Sequence, residues 1–429
     1  NQWGSFPSVS AGWLISGEDF YTGAIANTLN YIKLRASWGQ NGSLGPLYPG
    51  QWQASISTDV GGVIRYPGAD GVYQVGAAPT SLPNPFLTWE TSEQFDIGLD
   101  FKLFQERLIF TVDYYNKKTV DLITPGTPPL FAGSNLPFVN GGDVVNKGFE
   151  FEVGYTGGEG KAFQYGISAN FTTLHNEVTY LNPLVGNIQG VNVGTSWSGA
   201  TQFRLGEPIW YFNGYKTAGI FQNQAQIDQY IADNGLTGYT PSPGDPIVVN
   251  TNGDNQISPS DMTNIGSPHP DFYFGTRINM SYKGFDFLMF VQGQLGNEIL
   301  MGFNRTDRPT ANKPAFFYED RWTGEGSTNS WFKPNTSGTL VYSSDYMVFD
   351  GSYARIRQLQ LGYTLPQAVV DKIKVRNARF YVSLDNFFTF TKYPGMDPEA
   401  GSGNDRSIGI DRGVYPIPRT VVGGFSFTF

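Results

Sequence analysis

Residues 93–115 read EQFDIGLDFKLFQERLIFTVDYY and contain two segments in which apolar and polar residues alternate. A period of two residues is typical of a β-strand with two chemically different faces. One face of the first segment consists of Phe95, Ile97, Leu99 and Phe101, opposite Gln94, Asp96, Gly98 and Asp100. One face of the second consists of Leu108, Phe110, Val112 and Tyr114, opposite Ile109, Thr111, Asp113 and Tyr115. The polar residues Gln105 and Glu106 lie between the segments, so the pair predicts a hairpin.

The same alternation recurs along the chain in segments of about nine to eleven residues, the length that a tilted strand needs to cross a bilayer. Two further hairpins are predicted, one joining FEFEVGY (149–155) to FQYGISANF (163–171) and one joining FYFGTRINMSY (272–282) to FDFLMFVQGQ (285–294) through Lys283 and Gly284. The other strand candidates are YIKLRASWGQ (31–40), QWQASIS (51–57), IWYFNGYKTAGIF (209–221), YARIRQLQLGY (353–363), ARFYVSLDNFF (378–388) and VGGFSFTF (422–429). The total is roughly fourteen strands. A shift of the apolar face between Ile356 and Leu359 predicts a β-bulge.

Helices are predicted at only two places, QAQIDQYIADNG (224–235) and the shorter QAVVDKIK (367–374). The longest uncharged stretches, residues 122–142 and 178–203, are broken by Pro, Gly and Asn and do not read as transmembrane helices. If the chain crosses a membrane, we therefore expect it to do so with strands.

The composition favours a surface in contact with lipid. Charged residues make up 15% of the chain and aromatic residues another 15%, whereas ordinary globular domains are roughly 25% charged. The net charge of −9 argues against a nucleic-acid partner. The chain has no cysteine, which excludes disulfides, thiolate metal sites and a cysteine nucleophile.

Short turns alternate with long connections rich in Gly, Pro, Asn and Ser, as expected of an outer-membrane barrel. Two features weigh against a soluble β-sandwich, propeller or solenoid. The predicted strands are about ten residues long rather than the usual five or six. Acidic residues also lie opposite aromatic ones, as a water-filled lumen requires. These acids are Asp96, Asp100, Asp113, Glu150 and Glu152. The predicted fold class is all-β, a transmembrane antiparallel β-barrel in a lipid bilayer.

A series of segments resembles, in order, the C-terminal signatures of the SusC-like (SusC/RagA family) TonB-dependent transporters of Bacteroidetes outer membranes. They are FPSVSAGWLISGEDF (6–20), YIKLRASWGQNG (31–42), WETSEQFDIGLDF (89–101), NKGFEFEVGY (146–155), GYKTAGIF (214–221), IGSPHPDFYFG (265–275), DGSYARIRQLQLGYTLP (350–366), LDNFFTFTKYPGMDPE (384–399) and YPIPRTVVGGFSFTF (415–429). The similarity extends from residue 1 to residue 429. No single segment is decisive, but their joint order is specific.

The resemblance implies a 22-stranded barrel whose lumen is filled by an N-terminal plug, and a SusD-like surface lipoprotein as a lid. It also implies import of a bulky nutrient across the Gram-negative outer membrane, an oligosaccharide or secondly a peptide, driven through TonB. No bond is made or broken, so the protein is not expected to be an enzyme. The plug is not in this chain, and residues 1–429 are therefore expected to be the C-terminal part of the barrel. The alternatives are a cell-surface or soluble β-protein that binds glycans, and a siderophore-type TonB-dependent receptor.

Residues 250–261, NTNGDNQISPSD, resemble an acidic loop of that family and match the spacing of the twelve-residue calcium loops of EF-hands. The candidate ligands are Asn250, Asn252 and Asp254 at positions 1, 3 and 5, the Gln256 carbonyl at position 7, and Asp261 at position 12. Position 1 is not aspartate, position 6 is Asn255 rather than glycine, and the closing acid is short. The loop therefore predicts either a calcium site of modest affinity or an Asx-rich turn without an ion.

Other chemistry is weakly indicated. His175 and His269 are distant in sequence and have no pairing motif, which argues against a histidine metal site or a catalytic triad. Glu150 and Glu152 are interpreted as lining solvent rather than as a glycosidase pair. The loop residues Trp197, Trp322 and Trp331 either stack on substrate or serve packing, and the sequence leaves both readings open.

The last residues, GGFSFTF, form a strand whose faces are easily assigned. Phe425, Phe427 and Phe429 are expected to face lipid, and Ser426 and Thr428 the lumen. A terminal aromatic residue also resembles the signal by which the outer-membrane assembly machinery recognises its clients. We therefore expect the chain to contain the natural C-terminus, with the missing plug and early strands preceding Asn1.

Overall fold

The structure is a computed structural model that describes residues 3–45, 47, 53, 55–58, 65–69, 71–126, 137–183, 185–194, 197–303, 312–333, 339–399, 401 and 404–429. Its dominant element is one antiparallel sheet, the barrel wall, in which eleven strands each pair with the next along the chain. They are β1 (Ser8–Leu14), β2 (Leu29–Ser43), β3 (Glu90–Leu103), β4 (Leu108–Pro125), β5 (Phe138–Gly157), β6 (Phe163–Thr173), β7 (Phe272–Tyr282), β8 (Phe285–Leu295), β9 (Tyr353–Thr364), β10 (Asn377–Thr391) and β11 (Thr420–Thr428). A further strand, His175–Leu181, continues from β6 and pairs with the first part of β5.

The strand register sorts the wall into apolar and polar rows. One row of directly paired residues crosses seven strands and is apolar throughout: Trp13, Leu34, Leu99, Val112, Phe151, Phe171 and Phe274. The neighbouring row contains Arg35, Gly98, Asp113, Glu150, Thr172, Tyr273 and Gln294. Because successive side chains of a strand point to opposite faces, one face of the wall is apolar and the other is polar. The predicted two-faced strands are confirmed.

The last strand follows the same pattern. Phe425 is 71% exposed and Phe429 is 84% exposed, and Phe425 pairs with Phe380 of β10 on the apolar face. Large apolar side chains that stay exposed on one continuous face mark a contact surface rather than a solvated one. This face is the part of the wall that suits lipid.

The turns at one end of the wall are short, and the three predicted hairpins are confirmed. Lys283 and Gly284 alone join β7 to β8, with φ angles of 48° and 89° that fit a two-residue hairpin turn. The turn between β3 and β4 has three consecutive residues with positive φ, ending at Glu106. The predicted bulge is also confirmed, because the pairing of β9 with both neighbours skips Arg357.

Long connections leave the opposite end of the wall. The described residues of three of them, within 174–271, 296–352 and 392–419, share one buried core and form a unit that we call the loop body. Its strands are Ile188–Gln189, Thr201–Phe203, Tyr211–Gly214, Thr217–Ile220, Pro246–Val248, Thr263–Gly266, Glu298–Met301, Val348–Asp350 and Ile410–Asp411. The connection 44–89 forms two small hairpins of its own, Ser55–Thr58 with Ala77–Ser81 and Arg65–Pro67 with Tyr73–Val75.

Helices are few and short. The α-helices are Ala24–Thr28, Gln224–Asn234, Phe316–Glu319, Thr339–Tyr342 and Gln367–Val370. The 3-10 turns are Ile15–Gly17, Pro259–Asp261, Asp345–Met347, Asp371–Ile373 and Asp405–Ser407. Both predicted helices are confirmed. The longer one begins after Asn223, which caps the Gln226 N–H, and ends at Gly235 with a φ of 59°. Within the described ranges, no helix is both long enough and apolar enough to span a bilayer.

The sequence count of roughly fourteen strands was slightly too high for the main sheet, whose described part contains twelve: the strands β1 to β11 and His175–Leu181. The segment 209–221 was wrongly predicted as one wall strand, because it forms the separate strands Tyr211–Gly214 and Thr217–Ile220 in the loop body. All four residues of the first are buried, and an apolar run fits a strand buried on both faces as well as a membrane strand. Of the segment 51–57, residues 51, 52 and 54 lie outside the described residues, and Ser55–Thr58 pairs only within its own connection.

Candidate functional site: the polar wall and the loop body

The acidic residues predicted for the lumen lie together on the polar face. Arg35 joins two of them, with its Nε 2.8 Å from Asp100 Oδ2 and its Nη2 3.0 Å from an Asp113 oxygen. Gly98 lies between Arg35 and Asp113 in the strand register, and a Cβ at position 98 would lie 1.9 Å from Asp113 Oδ1. Any side chain at position 98 would clash with that of Asp113, so this position requires glycine.

Glu150 pairs directly with Asp113 across β4 and β5, and Glu152 follows two residues later on the same face. The three carboxylates line a cavity of about 570 Å³ on the polar face, together with Asn170 and Gln292. Neither glutamate forms an ion pair within the described part of the chain. This placement matches the predicted solvent-lining role, because unpaired carboxylates are tolerated only beside water.

A cluster of four charges ties the loop body to the wall, and we call it the rim cluster. Arg355 of β9 is only 3% exposed; its Nη2 lies 2.7 Å from Asp397 Oδ1 and its Nη1 lies 3.1 Å from Glu399 Oε1. Arg357 Nη2 lies 2.5 Å from the other Glu399 oxygen. Asp397 and Glu399, in the connection between β10 and β11, are thus held against the wall by two arginines of β9.

Asp397 is the centre of this cluster. It accepts the N–H of Glu399 and the N–H of Ile417, both at 2.9 Å, as well as the Arg355 guanidinium. Burial acts to raise the pKa of Asp397, but these backbone N–H groups and Arg355 outweigh it and hold the pKa below its usual 3.8. The carboxylate is therefore charged in the folded protein at neutral pH.

The core of the loop body is aromatic and draws on all three connections. Its buried residues are Val193, Trp197, Ala200, Phe212, Ile299, Leu300, Met301, Phe317, Trp331, Phe332, Val341, Met347, Tyr393 and Ile410. Trp331 is 8% exposed and its ring centroid lies 4.8 Å from that of Phe317 and 5.1 Å from that of Phe332. A shared core makes the three connections one packed unit rather than separate loops.

The loop tryptophans are now distinguishable. Trp197 is 2% exposed and donates its indole N–H to the Asn213 carbonyl at 2.8 Å. Trp197 and Trp331 serve packing, because their ring faces are covered by other side chains. Trp322 is half-buried, and its indole N–H donates to Gln222 Oε1 at 3.1 Å.

The structure brings the proposed calcium ligands into one compact loop. Asn250 Oδ1 accepts the Gly253 N–H, Asn252 Oδ1 accepts the Asp254 N–H, and Asp254 Oδ1 accepts the Gln256 N–H, all between 2.8 and 2.9 Å. The bonds of Asn252 and Asp254 are Asx turns, and each of the three side-chain oxygens keeps a second lone pair. The residue with positive φ is Gly253, at position 4 of the loop. In an EF-hand loop the glycine is at position 6, so the backbone departs from that pattern.

Asp261, the proposed closing ligand, is fully buried and serves the backbone of the loop. Its Oδ1 accepts the Thr251 N–H and its Oδ2 accepts the Ser258 N–H, each at 2.9 Å. Among the residues with a described position, no group of three His, Cys, Asp or Glu side chains could hold a metal ion. The calcium interpretation stays a prediction.

The two histidines lie in separate places, as their sequence distance suggested. His269 is half-buried beside the Ile209 carbonyl, with its Nε2 2.8 Å from that oxygen, and this partial burial lowers its pKa. The neutral His269 ring donates a hydrogen bond to the Ile209 carbonyl and so links two segments of the loop body. His175 is exposed on its strand, with its Nε2 3.3 Å from Glu177 Oε2.

A wall with one apolar face and one polar face, short turns at one end and a packed mass of long connections at the other has the architecture of an outer-membrane β-barrel. The model of the family described as TonB dependent receptor-like, beta-barrel, matches residues 1–255. That is more than half of the chain, and the chain therefore belongs to this family.

Individual relatives agree with this assignment. The whole chain is 33% identical to TonB-dependent receptor P3 of Formosa agariphila, of which it covers 42%. It is 28% identical to TonB-dependent receptor SusC of Bacteroides thetaiotaomicron, of which it covers 40%. The resemblance to SusC-like TonB-dependent transporters is confirmed, and the family is one of receptors and transporters rather than enzymes.

A solved structure shows the same fold. The structure of the RagAB peptide transporter superposes with a TM-score of 0.75 over 99% of this chain and 43% of that chain, at 22% sequence identity. The chain thus spans about two fifths of the length of the relatives that it matches.

Proposed function

We propose that the chain forms the C-terminal part of the barrel of a TonB-dependent importer in the outer membrane of a Bacteroidetes-type bacterium. In this proposal the full protein carries a bulky nutrient, an oligosaccharide first and a peptide second, with a SusD-like lipoprotein as its lid and TonB acting through a plug. It makes and breaks no bond. The observation that carries the proposal is the two-faced wall of eleven strands, combined with membership of the TonB-dependent receptor barrel family.

The edges of the wall support a larger barrel. Neither β1 nor β11 has a second strand neighbour among the described residues. Unpaired backbone groups are not tolerated in lipid, so further strands must cover these edges. In the proposal, those strands come from the rest of a longer polypeptide, together with the plug.

The test is uptake by cells. Deleting the gene from its native host should abolish uptake of a radiolabelled oligosaccharide, while uptake of the corresponding monosaccharide stays normal. A protonophore should stop oligosaccharide uptake in the parent strain, because TonB transmits the proton-motive force. A growth defect confined to iron limitation would instead favour a siderophore receptor, and normal uptake of all oligosaccharides and peptides would refute the proposal.

For the loop 250–261 we propose a weakly bound Ca²⁺ ion. The proposal is supported by the side-chain oxygens of Asn250, Asn252 and Asp254, each of which accepts a different backbone N–H of the same short loop. Calcium prefers six to eight oxygen ligands, and the loop supplies two carboxylates, Asp254 and Asp261. Two negative charges just balance the ion, which is why the expected affinity is modest.

Substituting Asp254→Asn should remove half of that charge while keeping the side-chain shape and the hydrogen bond to the Gln256 N–H. Calcium should raise the unfolding temperature of the detergent-purified wild-type protein, and this rise should be largely lost in the variant. Asp233→Asn, an exposed acid on the helix Gln224–Asn234, is the matched control and should keep the calcium response. If millimolar calcium does not change the unfolding temperature of the wild type, the proposed calcium site is wrong.

A further inference from the structure

A row of aromatic side chains crosses the apolar face of the wall near the end where the turns are short. Each member pairs directly with the next, from β6 to β11, and the six residues of this aromatic row are Phe163, Tyr282, Phe285, Tyr363, Phe380 and Phe425. Four residues further into each strand, the paired residues are all apolar and none is aromatic: Ile167, Ile278, Met289, Leu359, Leu384 and Val421. Aromatic residues are enriched where a membrane meets water, so the aromatic row marks the region of the lipid headgroups.

Cations lie directly beyond the aromatic row, in the connections at the same end of the wall. Residues 158–162, 283–284 and 365–376 join β5 to β6, β7 to β8 and β9 to β10. Five positive and two negative side chains lie in these connections, which gives them a net charge of +3 although the whole chain has a net charge of −9. The positive residues are all exposed, and they are Lys161, Lys283, Lys372, Lys374 and Arg376. This end of the wall therefore differs in sign from the chain as a whole.

Two of these cations lie next to members of the aromatic row. Lys283 Nζ is 5.3 Å from the centroid of the Tyr282 ring, so its ammonium group lies beside a side chain of the apolar face. Arg376 donates its backbone N–H to the Thr428 carbonyl at 2.6 Å, which places it beside the end of β11 that contains Phe425. Within the described part of the chain, neither Lys283 nor Arg376 forms an ion pair. Both charges can therefore meet an anion that lies against the apolar face.

The surface combines an apolar part and a positive part in the order in which a phospholipid presents them. Phe285 is 50% exposed and Phe425 is 71% exposed, so both rings are open to acyl chains. The cations lie further out, where the phosphate of a lipid would be. Lys and Arg at a membrane boundary extend their charged ends towards the headgroups. An anionic leaflet attracts such cations, with an effect of about fivefold in affinity for each one.

We propose that the aromatic row and the cations beyond it bind anionic phospholipids in the leaflet at the short-turn end of the wall. The Lys283 ammonium group donates to a lipid phosphate, and the acyl chains of that lipid cover Phe285 and the apolar residues further along β8. Arg376 binds a second phosphate above Phe425 in the same way. The inference rests on the membrane location in the proposed function and is independent of what the protein imports.

The experiment is photo-crosslinking of the full-length protein in nanodiscs that contain equal amounts of phosphatidylglycerol and phosphatidylcholine. The crosslinking residue p-benzoylphenylalanine replaces Phe285, and mass spectrometry of the crosslinked peptide counts the adducts of each lipid. Phosphatidylglycerol adducts should outnumber phosphatidylcholine adducts about fivefold. Lys283→Gln should bring the two numbers close to equality, because it removes the cation beside this position. The matched control Lys216→Gln removes the same charge from an exposed position in the loop body and should keep the preference.

A second position makes the test independent of any one variant. With the crosslinking residue at Phe425, Arg376→Gln should abolish the preference for phosphatidylglycerol while Lys216→Gln should keep it. This pair remains informative if the protein with the crosslinker at position 285 fails to fold. Loss of the preference at both positions, each with its own cation removed, would support the lipid site.

The other results would overturn the inference. Equal adduct numbers in the wild type, or a preference that survives both Lys283→Gln and Arg376→Gln, would show that these cations select no lipid. The same loss in Lys216→Gln would show a response to total charge alone. If glycerol 1-phosphate removed the preference and sodium chloride of equal ionic strength did not, the ligand would be a soluble phosphate. Normal oligosaccharide uptake by cells together with any of these results would leave the importer proposal intact, whereas absent uptake with the lipid preference present would refute only the importer.

Discussion

Arg355→Met should free residues 392–419 from the wall and destabilise the protein strongly. The substitution leaves Asp397 buried without its cation, and breaking a buried ion pair in this way typically costs about 3–5 kcal/mol. We expect faster hydrogen exchange of the backbone N–H groups near Asp397, including those of Glu399 and Ile417 that it accepts. Mass spectrometry of the detergent-purified protein measures this directly, and its unfolding temperature should fall.

Two controls make this expectation specific. Lys102→Met removes an ion pair with Glu106 that lies on the exposed turn between β3 and β4, and exposed pairs contribute little. It should leave both measurements nearly unchanged. In the double variant Arg355→Met with Asp397→Asn, the uncompensated charge is gone and an acceptor for the backbone N–H groups remains. Stability should partly recover, and a double variant no better than the single one would contradict the electrostatic account.

The same ion pair gives the stability a pH dependence of known sign. The pKa of Asp397 is lowered in the folded protein, so its contribution is present above its unfolded value of 3.8 and is lost as the pH falls below that value. The stability difference between wild type and Arg355→Met should therefore be constant at neutral pH and shrink in acid, as Asp397 takes up a proton. A difference that stays constant in acid would show that Arg355 acts through packing alone.

The wall was predictable from sequence because its information is local. Each strand carries its own period of two, and the turn at Lys283 and Gly284 fixes the register of its hairpin with no help from distant residues. Even the bulge at Arg357 left a local signal, since the apolar face had to change sides between Ile356 and Leu359. Where one face of a strand meets lipid, the alternation of apolar and polar residues shows directly which side chains face the lipid.

The loop body was not predictable in the same way because its contacts are long-range. Arg355 and Asp397 lie 42 residues apart, and Thr201 donates to the Arg406 carbonyl across 205 residues. Tyr211–Gly214 resembles a membrane strand in sequence, yet all four of its residues are buried, and Phe212 lies in the core that draws on three connections. A signal for the rim cluster did exist, since DGSYARIRQ contains two arginines and GMDPE contains two acids. Nothing local could have paired them.

Trp331→Ala should loosen the loop body while leaving the wall folded. Deleting a buried tryptophan leaves a large cavity and typically costs about 3–5 kcal/mol. Trp331 contacts Phe316, Phe317, Phe332 and Tyr346, so its loss affects the core that joins the three connections. We expect rapid hydrogen exchange and protease cleavage within residues 296–352, and unchanged exchange in the wall strands. Equal loosening of the wall would show that the two parts unfold as a single unit.

Trp331→Phe separates the contribution of the aromatic contacts from that of the indole N–H. The indole N–H of Trp331 is buried, and no hydrogen-bond acceptor for it lies among the described residues. An unsatisfied buried donor is itself costly, so phenylalanine removes a penalty while keeping most of the aromatic contacts. Trp331→Phe should therefore be far less harmful than Trp331→Ala, and Tyr318→Ala, at a position 44% exposed on the neighbouring helix, should be nearly neutral. Equal damage from Trp331→Phe and Trp331→Ala would contradict this account, because it would show that the indole N–H itself contributes to stability.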